Sequence, residues 1–73
     1  MNVILQQQVL GFQRNTRIAE TVPGGAVVEI SRSSPNGWID FSWNGSDYSA
    51  YCDELLKACT VEEVSRLTLR GLV

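Results

Sequence analysis

Between Ala26 and Tyr51 the residues that read as core fall at alternate positions, and turn signals cut the chain into short runs. "AVVEIS", Ala26 to Ser31, puts Val28 and Ile30 on one face and Val27 and Glu29 on the other, which predicts a strand over 26–32. "WIDFSW", Trp38 to Trp43, does the same: Ile39, Phe41 and Trp43 read as core, with Trp38, Asp40 and Ser42 opposite. Pro35-Asn36-Gly37 predicts a turn before this run. Asn44-Gly45 after it is the strongest hairpin signal in the chain, because both residues tolerate positive φ. A strand over 47–51 then leads to Asp53-Glu54-Leu55-Leu56, which reads as a helical turn.

The flanks are less regular. "RIAETV", Arg17 to Val22, fits a short edge strand that ends at Pro23-Gly24-Gly25. "VILQQQVLGF", Val3 to Phe12, holds two apolar clusters around Gln6 to Gln8 and fits either a strand or a short helix. Thr60-Val61-Glu62-Glu63 is a capping box, and Val61, Val64 and Leu67 or Thr68 continue as a narrow apolar stripe. A short helix over 61–68 follows, with "TLRGLV" free to extend it, fray or add a strand. This makes one domain, 1–73, with a β-rich core over 16–60. The spacing from about Thr16 to Thr60 resembles a small five-stranded SH3-like barrel. The competing fold is an α+β meander of three or four strands with a short C-terminal helix.

With 73 residues and 44% apolar content, the chain is long enough for one thin core and too apolar for wholesale disorder. A net charge of -2 argues against a nonspecific duplex binder, whose affinity comes from neutralising phosphates. The absence of histidine removes the commonest base near neutral pH. Charge is mildly uneven: Arg14 and Arg17 precede any acid, whereas Asp40, Asp47, Asp53 and Glu54 face Lys57 alone in the middle. That bias suits a protein-binding module better than a nucleic-acid groove.

Little else carries chemistry. Cys52 and Cys59 lack the further ligands of a zinc site and read as structural thiols, neither bridged nor metallated. Asp40 and Asp47 would form an acid-base pair only if burial separated their pKa values; the simpler expectation is two solvated rim carboxylates. Gly24-Gly25 lacks the spacing of a phosphate loop, and Asn44-Gly45-Ser46 reads as a turn, not a glycan acceptor. No signal peptide or membrane span is expected. All aromatic residues except Phe12 fall between Trp38 and Tyr51, in an acidic segment. Phe41 and Trp43 belong to the core, while Trp38 fits a core position and an exposed anchor equally well. Arg14, Arg17, Arg32 and Trp38 are therefore the candidate partner-binding residues, since exposed Trp with Arg is the usual make-up of a binding hot spot. No catalytic residue and no cofactor are expected.

In length and in its opening "MNVILQQQVLGFQRN", the whole chain resembles the small host RNA polymerase-binding transcription regulators of lytic Xanthomonas phages. The resemblance implies binding to the N-terminal region of the polymerase largest subunit, inhibition of initiation and antitermination. It implies action in the host bacterial cytoplasm, without enzymatic activity, metal or required nucleic-acid contact. It carries no functional residue over to a position here. A monomer is expected. The alternatives are an SH3-like protein-interaction adaptor and a single-stranded nucleic-acid binder, the latter requiring Trp38 and an arginine on one exposed face.

Overall fold

The Asn44-Gly45 hairpin forms as expected in the computed structural model, which describes residues 1–33 and 36–73. Asn44 and Gly45 take φ of 52° and 80°, and Trp43 pairs with Ser46 across the turn. Primed-turn geometry of this kind matches the right-handed twist of the strands it joins. Pro35, the start of the other expected turn, lies outside the described residues.

The strands are β1 (Asn2–Ile4), β2 (Val9–Gln13), β3 (Ala19–Val22), β4 (Val27–Ser33), β5 (Trp38–Trp43) and β6 (Ser46–Tyr51). Helices α1 (Cys52–Lys57) and α2 (Val61–Leu69) follow. They build one antiparallel sheet in the order β1-β4-β5-β6-β2-β3. The meander β4-β5-β6 is its centre, and β3 is an edge strand, as its sequence suggests.

The sheet does not close into a barrel, so the SH3-like expectation is corrected. Two features explain this. The segment before Thr16 divides at its glutamines into β1 and β2, which add to opposite sides of the meander. The sheet thus begins at Asn2, well before residue 16. In addition, the free edge of β1 is partly occupied. The Ile4 N–H donates to Glu63 Oε2 (3.0 Å), and the Gln6 side-chain amide donates to the Ile4 carbonyl (3.1 Å). Side chains that take up the Ile4 N–H and carbonyl compete with any further strand for that part of the edge.

Val3 to Phe12 holds parts of two strands and no helix, and burial alternates along both. Val3, Leu5, Val9 and Gly11 are buried, while Ile4, Leu10 and the glutamines between are exposed. Gly11 sits where the stacked rings of Phe41 and Tyr48 press on β2. A Cβ there would lie 3.2 Å from Tyr48 Cδ2 and 3.3 Å from Phe41 Cζ. Core side chains from all six strands meet Leu55, Ala58 and Leu67, so both helices lie on one face of the sheet.

The capping box at Thr60 is complete: Thr60 Oγ1 accepts from the Glu63 N–H, and Glu63 Oε1 accepts from the Thr60 N–H. The expected stripe is only partly right. Leu67 is buried, but Val61 is 86% exposed, and Glu63 occupies the inward position in that first turn. Beyond α2, Leu72 and Val73 return to pack on the core.

Candidate binding face

The face opposite the helices is built by a row of cross-strand neighbours. Arg32 on β4 lies opposite Asp40 on β5, Asp40 opposite Ser49 on β6, and Ser49 opposite Phe12 on β2. Strand alternation alone would send Arg32 to the core side with Ile30. A register shift between Ile30 and Arg32 absorbs Ser31 as an extra residue and turns Arg32 to the outer face.

Asp40 is the polar centre of this row. It is 8% exposed, so the expectation of a solvated rim carboxylate is corrected. Its Oδ2 accepts from Arg32 Nε at 2.9 Å and lies 3.5 Å from Arg14 Nη1; its Oδ1 accepts from Ser49 Oγ at 2.7 Å. Burial pushes the carboxyl up, but the hydrogen bonds from Ser49 and Arg32 and the charges of Arg14 and Arg32 outweigh it. The net effect holds Asp40 below the usual carboxylate range. Asp47 stands opposite Ser42, away from this network, and is exposed, so the two aspartates do not form an acid-base pair.

Trp38 lies outside the hydrophobic core, half-buried in an aromatic group. It stacks on Tyr51 (centroids 4.1 Å apart, 28° between planes) and meets Phe12 edge-on at 5.6 Å. Phe12, Gln13, Arg14, Arg17, Trp38 and Ser49 line an open pocket of about 390 Å³. The β2–β3 hairpin supplies its basic lip. Arg17 takes φ of 60°, a left-handed conformation in which an arginine is uncommon. Hydrogen bonds fix that loop: the Arg17 N–H donates to the Gln13 carbonyl (2.7 Å), and Thr16 Oγ1 donates to Gln13 Oε1 (2.8 Å).

Arg14, Arg17 and Trp38 thus line one pocket, and Arg32 stands on the same face, joined to it through Asp40. Sequence reasoning set Asp40 beside Trp38 on this face but missed its burial, and it missed Phe12, Tyr51 and Ser49 as members. Phe12 and Tyr51 carried a signal, being aromatics at outward strand parity, whereas the pairing of β2 with β6 had none. Elsewhere, Cys52 and Cys59 are unbridged. Burial, aided by Asp53 and Glu63 respectively, pushes both thiols up, Cys59 to about 11, which disfavours the thiolate at neutral pH. Among the described residues no cluster of three or more His, Cys, Asp or Glu is arranged to hold a metal, and no helix is long and apolar enough to cross a membrane. Compared with family models, curated proteins and solved structures, the chain matches none.

Proposed function

We propose that this chain binds a bacterial RNA polymerase through the Trp38 face, at the N-terminal region of the largest subunit. By occupying that surface it inhibits initiation and modulates termination, acting as a monomer in the host cytoplasm without cofactor or catalysis. The polymerase assignment rests on the likeness of length and opening sequence. The observation that carries the binding role is the meeting of Arg14, Arg17 and Trp38 at one open pocket on a sheet face that neither helix covers. Trp, Tyr and Arg are the residues that dominate protein interfaces.

One observation favours a second reading. Trp38 and arginines do share an exposed face, the condition for stacking single-stranded bases. Charge on that face weighs against it. Glu29 and Asp47, both opposite Ser42, join Asp40 and balance Arg14, Arg17 and Arg32. A polyanion gains little from such a surface. An SH3-like adaptor would need the barrel that this sheet does not form.

The test is titration of the purified protein against host RNA polymerase, with abortive initiation measured in parallel. Binding in or below the micromolar range with loss of abortive product supports the proposal; no binding at tens of micromolar sinks it. In Arg14→Glu/Arg17→Glu, repulsion at a desolvated contact should weaken binding by about 30-fold or more, corresponding to about 2 kcal/mol. Unchanged tight binding would keep the function and remove it from this face.

A further inference from the structure

Positive charge on the Trp38 face exceeds what its one buried carboxylate can satisfy locally. Asp40 gives its short contacts to Arg32 and Ser49, and reaches Arg14 only at 3.5 Å. Among the described residues Arg17 has no carboxylate partner and no side-chain hydrogen bond. Its five N–H donors are free at the pocket lip. Nor is the arginine there by default, since its left-handed backbone suits glycine or asparagine better. The hydrogen-bonded loop holds its Cα in place, and the edge-on pair Phe12–Trp38 forms an apolar wall of the same pocket.

We infer that this pocket receives an acidic side chain of a protein partner, with Arg17 as its principal ligand and an adjoining apolar residue of the partner packed on Phe12 and Trp38. This deepens the reading of the face as a protein contact and rests on it. The guanidinium fork matches a carboxylate in two parallel hydrogen bonds, and Arg14 adds a second positive charge. A volume of about 390 Å³ takes one or two side chains. The acids Glu29 and Asp47 elsewhere on the face oppose an extended polyanion but not a single carboxylate confined to this corner.

The probes are three capped peptides with a central phenylalanine, flanked by Glu and Asp, by two Lys, or by Gln and Asn; a short oligothymidine is the fourth. Each is titrated into the isotope-labelled protein while the Trp38 indole N–H and the arginine Nε–H resonances are followed. The acidic peptide should shift the Trp38 and Arg17 signals saturably at millimolar concentration and bind more weakly as salt rises. Arg17→Gly relieves the left-handed backbone, so the variant should fold, and it should weaken the acidic peptide by about fivefold or more. Arg70→Gln, at the far end of α2, should leave binding unchanged. Equal binding of the lysine peptide, no shift by about 10 mM acidic peptide, or an Arg17→Gly variant that binds as well as wild type would overturn the inference. Preferential binding of the oligothymidine would overturn it in favour of nucleic acid. Peptide binding without polymerase binding would uphold the pocket and reject the polymerase. Polymerase binding that Arg17→Gly leaves intact, with no peptide response, would do the reverse.

Discussion

Glu63 is a single side chain that holds two elements together, and its removal has a calculable effect. Oε1 accepts from the Thr60 N–H at 2.9 Å and starts α2, while Oε2 accepts from the Ile4 N–H at 3.0 Å and fixes α2 to the edge of β1. A hydrogen bond to a charged group contributes about 1.5–3 kcal/mol. Both donors are only partly buried, so water recovers some of this in Glu63→Ala, and alanine's better helix propensity returns a few tenths. The net loss should be about 2–3 kcal/mol. A domain of 73 residues has roughly 4–11 kcal/mol in total, so this is a large share. Thermal melts should fall by about 8–24 °C. Glu63→Gln keeps one acceptor and turns an NH₂ toward the other donor, so about half the loss is expected. Glu62→Gln is the control: its 3.6 Å pair with Arg66 is exposed and contributes at most about 0.5 kcal/mol. Amide hydrogen exchange gives the local readout, because the Ile4 N–H should lose protection in Glu63→Ala under conditions where the core amides keep theirs. Unchanged Ile4 exchange, or a stability loss no greater than that of Glu62→Gln, would refute the reasoning.

Three further outcomes follow from the same geometry. Gly45→Val forces a β-branched residue to φ near 80° and should cost more than about 1 kcal/mol in denaturant melts; an unshifted midpoint would mean that β5 and β6 are not joined by this turn. Gly11→Ala places a methyl against Tyr48 and Phe41 and should destabilise by about 1–3 kcal/mol, with ring-current shifts changed at both rings; a neutral or stabilising effect would show that the contact yields freely. Asp40 and Glu63 have folded pKa values below their ordinary 3.8 and 4.5, so the stability they contribute is present above those values and is lost as pH falls through the lower folded ones. Acid melts should show that limb, and Asp40→Asn should flatten it while costing about 1–2 kcal/mol at neutral pH; an unaltered limb would remove Asp40 from the account.

Where one local rule acted alone, the sequence was enough. Asn44-Gly45 fixes a turn through two residues that accept positive φ, Thr60 and Glu63 cap each other three positions apart, and alternation in 27–30 and 38–43 assigns the core side chains of β4 and β5. Trp38 was legible as a residue off the core parity, but its surroundings were not, because Phe12 lies far from it in the chain and joins it only through the pairing of β2 with β6.

What tertiary structure decided lies in register and in edges. Nothing local distinguishes a helix from two strands around Gln6 to Gln8. That choice follows from which sheet edges the meander leaves open. Alternation places Arg32 inward, and only the extra residue absorbed at Ser31 brings it opposite Asp40, because one residue of register reverses every side chain beyond it. Barrel closure was likewise beyond the spacing of the strands. The sheet stays open, with a carboxylate 59 residues away taking the Ile4 N–H at the edge of β1. The turns, the cap and the strand faces were written in neighbouring residues; the open sheet and the convergence of Arg14, Arg17, Arg32 and Trp38 on one face arose from contacts between residues far apart in the chain.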